Sequence, residues 1–221
     1  MIFDIETLGF PLETFDETQQ EYLLKFADTD EKREAELQKL SLHALTAQII
    51  AIGMINPDTQ AGKVFFQSNL REQFTSEDGK IEFLSGDEKD VLQRFWTAIE
   101  HYNQFITFNG RSFDCPFIML RSAIIGVKHT RNLMTYRYEA SKHCDLLEQL
   151  TFYGVVRKFN LDFYCKTFGI KSPKSEGITG LDLGPLYGDG KYREIAQYCL
   201  GDIKATAELF LRWDEFLNVR E

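Results

Sequence analysis

The first ten residues, MIFDIETLGF, constrain the fold most strongly, because they place two acids inside an apolar strand. Alternate side chains of a strand project from the same face, so Asp4 and Glu6 point in the same direction. Two neighbouring carboxylates beside Ile2 and Phe3 repel each other and lose hydration. The strand is therefore either exposed to water, or a cation lies between the two acids.

Strand and helix signals then alternate along the chain. Strands are predicted at 1–6, 48–55, 63–67 and 105–110. Helices are predicted from the SGDE sequence at 85–88 through Ile99, over 113–126, over 161–170 and at about 191–217. The segment 142–150 fits either element, and we take its start as a strand, whereas 177–190 is rich in turn residues. An initial run of three strands followed by alternation favours an α/β fold, a mixed central sheet with helices on both faces. No linker divides the chain, so we predict a single domain over 1–221.

Capping signals place several helix ends. A helical insertion is predicted at about 14–42, with Asp30 as the N-cap of its second half. The sequence SGDE resembles a capping box in which Ser85 is the N-cap. Pro116 in a first turn and Gly126 at a C-terminus delimit another helix.

Two more acids occur where a core pattern would not select them. Asp114 directly follows the strand FITFNG at the start of a helix, and by itself it also fits an ordinary N-cap. Asp202 shares a helical face with Tyr198, four residues earlier, and this face adjoins an apolar stripe. Gly201 costs the helix ~1 kcal/mol relative to Ala, which indicates that another group approaches the backbone there.

Four carboxylates without a histidine or cysteine partner favour a hard divalent cation, Mg²⁺ or Mn²⁺. The cation would neutralise the pair on the first strand. Two such ions, ~3.5–4 Å apart, would activate a water and stabilise the leaving oxygen of a phosphodiester. A phenol with a reference pKa of ~10 is a poor base at neutral pH, so we expect Tyr198 to orient the water.

Three motifs stand in the order found in DEDD-type 3′–5′ exonucleases: FDIET, NGRSFD and YCLGD. The tyrosine of the third motif marks the subclass that includes the proofreading exonuclease of family-B DNA polymerases. The surrounding stretches AQIIAIGM, HCDLL and EGITGLDLGPLY resemble the stand-alone predicted exonucleases related to that polymerase domain. The resemblance covers essentially the whole chain.

The resemblance implies a ribonuclease H-like fold and metal-dependent release of nucleoside 5′-monophosphates. The substrate would be the 3′ end of single-stranded nucleic acid, with DNA favoured and RNA possible. The family's metal ligands correspond to Asp4, Glu6, Asp114 and Asp202, and the tyrosine that orients the water corresponds to Tyr198.

Substrate contacts are also implied by the resemblance, at Thr7, Leu8, Asn109 and Phe113. Asn109 fits equally well as a turn residue at a strand end, and Phe113 as a core residue. Asp145 lies where relatives often have an acid on a strand, and a structural role suits it better than metal ligation.

The charge distribution limits the partners. A net charge of −9 argues against a protein that coats long nucleic acid, but not against an enzyme that binds a few phosphates at a chain end. Residues 157–174 hold five bases and one acid, a candidate phosphate-facing patch or simply a solvated surface. Residues 13–36 hold nine acids and three bases, which indicates a solvated helical face without a motif role. An unidentified protein partner could deliver the substrate.

The cysteines and the hydropathy pattern indicate a cytoplasmic protein. No Cys-x-x-Cys pair occurs, which argues against a zinc cluster or a disulfide framework and in favour of four buried thiols: Cys115, Cys144, Cys165 and Cys199. No apolar run approaches the ~20 residues of a membrane span.

Two other functions fit the same fold. One is a catalytically silent module that binds nucleic acid or acts as a scaffold, and the other is a metal-dependent nuclease that cuts internally. The presence of all four acids and the tyrosine argues against the first.

Overall fold

The computed structural model describes residues 1–172 and 177–218. Seven strands in this part of the chain form one sheet: β1 Ile2–Gly9, β2 Ala47–Ile55, β3 Gly62–Gln67, β4 Gln73–Thr75, β5 Ile81–Gly86, β6 Phe105–Thr107 and β7 His143–Asp145. Their order is β4-β5-β3-β2-β1-β6-β7. Strands β1, β6 and β7 are parallel, whereas β1, β2 and β3 pair antiparallel, so the sheet is mixed as predicted. Lys174 of the basic patch and the last residues of the predicted domain lie outside the described residues.

Helices cover both faces of the sheet, which confirms the predicted layering. The helices of the described part are α1 Glu17–Leu23, α2 Asp30–Lys39, α3 Glu88–Ile99, α4 Asp114–Ile125, α5 Leu146–Leu150, α6 Leu161–Phe168, α7 Leu183–Gly188 and α8 Tyr192–Phe216. Helices α3 and α4 pack on one face, and α8 packs on the other with α6 and α7 beside it.

The alternation of β1 decides which face receives the acids. Phe3 and Ile5 belong to the core under α3, where Phe3 meets Phe95 edge to face with ring centroids 5.2 Å apart. Ile2 belongs to the opposite core, under α8. Because alternate residues share a face, Asp4 and Glu6 point toward α8.

A glycine lets α8 lie close to the sheet. A Cβ at Gly53 of β2 would be 3.0 Å from the Cys199 Sγ atom and 3.1 Å from Ile203, both on α8. The close approach brings the middle of α8 next to β1, the neighbouring strand. Within the described ranges, no helix is both long and apolar enough to span a bilayer.

Two predicted N-caps are wrong. Thr29, and not Asp30, caps α2, because its hydroxyl accepts the N–H of Lys32 at 3.3 Å. Ser85 lies inside β5, where its hydroxyl donates to the Leu70 carbonyl at 2.6 Å. The cap of α3 is therefore Asp87, two residues later.

Other boundaries also differ from the predictions. The hairpin of β4 and β5 was not predicted, because β5 pairs with β3 over a non-local distance in the sequence. The rings of Phe74 and Phe83 stack 4.7 Å apart across the hairpin. The strand predicted at 105–110 ends at Thr107. The turn-rich segment 177–190 contains the helix α7.

The insertion at 14–42 is helical, as predicted. It holds α1 and α2, and neither helix has a buried residue. A 3₁₀ turn, Leu40–Leu42, joins the insertion to the sheet, because Thr7 Oγ1 of β1 donates to the Ser41 carbonyl at 2.7 Å. The insertion therefore borders the end of β1.

Candidate active site

Four acids from three elements converge between β1 and α8. Asp4 and Glu6 come from β1, Asp114 is the first residue of α4, and Asp202 lies in the middle of α8. The side chain of Asp4 contacts that of Asp114, and the side chain of Glu6 contacts that of Asp202. Residues that are distant in the sequence therefore form one acidic cluster, as the motifs predicted.

The position of Asp114 depends on the shortness of β6. Strand β6 pairs with β1 at Ile2 and Ile106 and ends one residue later. The N–H of Ile5 consequently donates to Asp114 Oδ1, at 3.1 Å. Asp114 is buried, and the N-cap position of α4 belongs to the preceding residue, so the alternative of an ordinary N-cap is wrong.

Without a bound cation, the negative charges of the buried cluster repel one another, and the carboxyl groups tend to keep their protons. Burial raises the pKa of Asp4 well above its usual range, and the charges of Asp114, Asp202 and Glu6 raise it further. Burial likewise raises the pKa of Glu6, and the charges of Asp202 and Asp114 raise it further. For Asp114, burial raises the pKa to about 7 even though backbone N–H donors oppose the shift. A bound cation would relieve this repulsion, because an opposite charge favours the ionised carboxylates.

The donor set fits a hard divalent ion. Glu6 Oε1 is buried and accepts no hydrogen bond from any described residue. The surrounding ligand atoms are carboxylate oxygens, which Mg²⁺ and Mn²⁺ prefer. The Cys199 Sγ atom lies within 4.8 Å of the ligand atoms of Asp4 and Glu6. Burial raises the pKa of this thiol well above its usual range, so it stays neutral and is a poor ligand for such an ion.

Tyr198 faces the cluster from α8, one turn before Asp202. Burial and the Asp202 charge raise the pKa of its phenol, which therefore keeps its proton at neutral pH. Tyr198 and Gly201 line a cavity of about 480 Å³ that also contacts Lys171 and Lys204. The backbone at Gly201 is thus accessible from the cavity, and the close approach of another group to this glycine stays a prediction.

Asp145 organises the turn that leads to Asp114. Its Oδ1 accepts the N–H of Asn109 at 3.0 Å, and its Oδ2 accepts the N–H of Arg111 at 2.9 Å. The same carboxylate caps α5 by accepting the N–H of Leu147 at 3.0 Å. Asn109 has a φ of 63°, so the turn is tight. An acid between a strand and a helix is the signal that could have predicted this capping role.

The predicted substrate contacts are at the edges of the cluster. Thr7 and Leu8 line a cleft of about 380 Å³ between β1, the insertion and α7. Phe113 is partly buried against the core, with its ring centroid 5.5 Å from that of Phe117. The substrate roles of these three residues and of Asn109 stay predictions.

The predicted burial of the cysteines is confirmed. Cys115, Cys144, Cys165 and Cys199 are all buried free thiols.

His143, on β7, makes the fold sensitive to acid. Its Nε2 is 2.8 Å from Thr107 Oγ1, and burial, with a smaller effect of the Arg111 guanidinium, lowers its pKa to about 3. The unfolded chain takes up this proton below pH ~6.5, so the contribution to stability is complete above that pH and is lost as the pH falls toward 3. We expect His143→Gln to reduce the loss of stability by up to about 1.4 kcal/mol per pH unit, measured by urea unfolding at pH 6.5 and 5. The acidic cluster is common to both proteins, so equal pH dependence would contradict this assignment.

Comparison with known proteins agrees with the geometry. A family described as a predicted 3′–5′ exonuclease related to the exonuclease domain of PolB matches residues 42–218. DNA polymerase 1 of Sulfurisphaera ohwakuensis is 27% identical over 130 residues, which cover 52% of this chain and 15% of the polymerase. The structure of the family B DNA polymerase from Pyrobaculum calidifontis is similar with a TM-score of 0.62 and 17% identity, over 96% of this chain and 24% of that chain.

These similarities confirm the ribonuclease H-like fold and the relationship to the polymerase exonuclease. The matched region includes Asp114, Tyr198 and Asp202, whereas Asp4 and Glu6 precede it. The structural similarity extends over nearly the whole chain. The chain spans about a quarter or less of the length of these polymerases.

Proposed function

Because the chain belongs to the family of predicted 3′–5′ exonucleases related to the exonuclease domain of PolB, we propose that it hydrolyses single-stranded nucleic acid from the 3′ end. The products would be nucleoside 5′-monophosphates, with DNA favoured over RNA as the substrate. The observation that carries the proposal is the convergence of four carboxylates beside Tyr198 of α8.

We assign Asp4, Glu6, Asp114 and Asp202 as ligands of two divalent ions, Mg²⁺ or Mn²⁺. When bound, such ions supply Lewis-acid activation of water and stabilise the charge on the leaving oxygen. The unpartnered Glu6 Oε1 and the carboxylate-rich surroundings support this assignment. The hydrogen bond from the Ile5 N–H holds Asp114 in place before an ion binds.

The remaining residues position the reactants. The protonated phenol of Tyr198 can hydrogen-bond to the attacking water and fix its direction, but it cannot act as a base at neutral pH. Thr7 and Leu8 would hold the terminal nucleotide on the side of β1, and Asn109 and Phe113 on the side of α4. Asp145 acts through the turn at Asn109 and is a positioning residue.

The proposal predicts a ladder of products. A 5′-labelled 20-nucleotide DNA strand with Mg²⁺ or Mn²⁺ should shorten one nucleotide at a time from its 3′ end, because hydrolysis begins at the terminal phosphodiester. EDTA should stop the reaction. An RNA strand of the same sequence measures the sugar preference.

Two controls separate the alternative functions. Circular single-stranded DNA has no 3′ end, so an exonuclease leaves it intact and an internally cutting nuclease does not. Binding of the linear strand without turnover in either metal would instead support a silent binding module and contradict the proposed function.

A further inference from the structure

An exposed surface rich in aromatic and basic side chains lies beside the candidate site, on the side of β7. It consists of the segments 136–138 and 152–159, which we call the aromatic–basic surface. The two segments hold three bases and no acid, in a chain whose net charge is −9. Arg137 is paired with Glu148 at 2.8 Å, so the accessible positive charge of the surface lies at the exposed side chains of Arg157 and Lys158.

The rings of Tyr136, Tyr138 and Tyr153 touch in sequence, and Phe152, next to Tyr153 in the chain, is exposed to solvent. Tyr136 is 71% exposed, Tyr138 58% and Phe152 58%. The ring centroids of Tyr136 and Tyr138 are 5.6 Å apart, and those of Tyr138 and Tyr153 are 4.8 Å apart. A contiguous group of exposed rings is unfavourable in water and indicates a binding surface.

The backbone of the second segment is strained at Phe152 and Tyr153, two of the aromatic residues of this surface. Phe152 and Tyr153 have φ values of 50° and 58°, which bulky side chains rarely adopt. The Tyr153 hydroxyl accepts a hydrogen bond from Gln149 Nε2 at 2.9 Å, and its ring is thereby fixed against Tyr138. Such strain persists only where the surrounding structure enforces it, and it is concentrated at functional sites.

The basic side chains adjoin further rings. The Arg157 guanidinium lies over the Phe159 ring, 5.0 Å from its centroid, and Phe159 stacks on Phe163 at 4.3 Å. Arg157 and Lys158 are exposed. Together they give the patch predicted at 157–174 a positive end that is accessible to phosphates.

Direct contacts connect this surface to the turn before α4. Arg111 Nη1 donates to the Thr135 carbonyl at 2.7 Å, immediately before the first segment. The Phe108 ring is 5.8 Å from that of Tyr164, which is 6.3 Å from Phe159 in the second segment. Both segments therefore reach the turn that places Asp114 in the acidic cluster.

We propose that the aromatic–basic surface binds the single-stranded segment on the 5′ side of the scissile phosphate, an inference that rests on the proposed function. Bases stack on Tyr136, Tyr138 and Phe152, and phosphates lie near Arg157 and Lys158. Every base has a ring face, so such stacking tolerates any sequence. The acidic insertion lies on the other side of β1 and repels the nucleic acid, so the nucleic acid leaves the acidic cluster on the side of the aromatic–basic surface.

Binding of a fluorescent 12-nucleotide oligodeoxythymidine, measured by anisotropy in EDTA, tests the surface without turnover. We expect the double variant Tyr136→Ala, Phe152→Ala to weaken binding about tenfold or more, because each of the two lost stacking contacts contributes about fivefold or more. The matched control is Tyr22→Ala, Phe26→Ala, two rings of the acidic insertion that are each 79% exposed. The control should bind within twofold of the wild type.

The basic residues are tested by the salt dependence of binding, because the loss of two phosphate contacts changes the slope of log affinity against log salt, whereas partial misfolding only lowers the amount of active protein. The double variant Arg157→Ala, Lys158→Ala should reduce the slope of log affinity against log salt by about 1.4, the value for two phosphate contacts on a single strand. An unchanged salt slope, or an oligonucleotide affinity for the aromatic variant within twofold of the wild type, would overturn the proposal. Unchanged affinity of the aromatic variant would indicate that the surface binds a protein and not nucleic acid.

A second substrate distinguishes failure of this inference from failure of the proposed function. The p-nitrophenyl ester of thymidine 5′-monophosphate occupies only the acidic cluster and its cleft. Both surface variants should hydrolyse this ester with the wild-type kcat/KM. A wild-type protein that hydrolyses neither substrate would refute the exonuclease proposal, while the anisotropy measurement would still decide the role of the surface.

Discussion

Replacing Asp4 with Asn is expected to abolish exonuclease activity and, at the same time, to stabilise the metal-free protein. Activity should fall at least about 10³-fold, because bound metal contributes several kcal/mol to the transition state. In EDTA at pH 8 the variant should gain about 0.5–2 kcal/mol, or roughly 1–8 °C in Tm, because one of several repelling carboxylates is removed. Activity is measured with the labelled strand and stability by thermal unfolding.

With bound metal, the wild type should be more stable than Asp4→Asn, the reverse of the order in EDTA. Mn²⁺ should raise the Tm of the wild type, because binding to the folded state alone stabilises it, and should raise that of Asp4→Asn much less. The control is Asp189→Asn, which changes an exposed acid and should alter neither activity nor Tm. A variant at Asp4 that is less stable than the wild type in EDTA, or that retains a tenth of its activity, would contradict the assignment.

Asp145→Ala is expected to cause the largest loss of stability of the proposed substitutions, about 3–5 kcal/mol in the free energy of unfolding. Asp145 is buried and accepts the N–H groups of Asn109, Arg111 and Leu147, and each donor would lose its partner. Urea unfolding at pH 7 measures the effect.

The variant Asp145→Asn distinguishes the capping role from metal ligation. One amide oxygen can still accept two of these N–H groups, so the loss should be about half as large. If Asp145 acts only through the turn, the folded Asn variant should still bind Mn²⁺ at the acidic cluster. A loss below 1 kcal/mol for the Ala variant would show that the hydrogen bonds of this carboxylate contribute little.

The sequence predicted the acidic cluster because the relevant signals are local. Asp4 and Glu6 reveal their common face by a spacing of two residues, and Tyr198 and Asp202 by a spacing of four. Neither spacing shows what packs against that face. The prediction that the four acids converge came from the order of the three motifs. In the structure, the close approach of α8 to the sheet at Gly53 brings the acids of β1 and α8 together.

Features that depend on non-local pairing were missed. Ser85 looked like a cap because its neighbours fit one, but the parallel pairing of β5 with β3 extends past it and moves the cap to Asp87. The aromatic–basic surface joins residues 136–138 to 152–159 through ring contacts, and no sequence spacing encodes them. The role of Asp145 in the turn of Asn109 likewise depends on the register of β7 beside β6.

We assign the four acids as ligands that hold two metal ions at once. Crystals soaked with MnCl₂ and thymidine 5′-monophosphate test this assignment most directly, through anomalous difference density at the manganese edge. We predict two peaks about 3.5–4 Å apart, surrounded by Asp4, Glu6, Asp114 and Asp202, with the nucleotide phosphate between them. Absence of manganese from this cluster in protein that binds the nucleotide, or manganese bound only at another part of the surface, would contradict the assignment of these four acids as metal ligands.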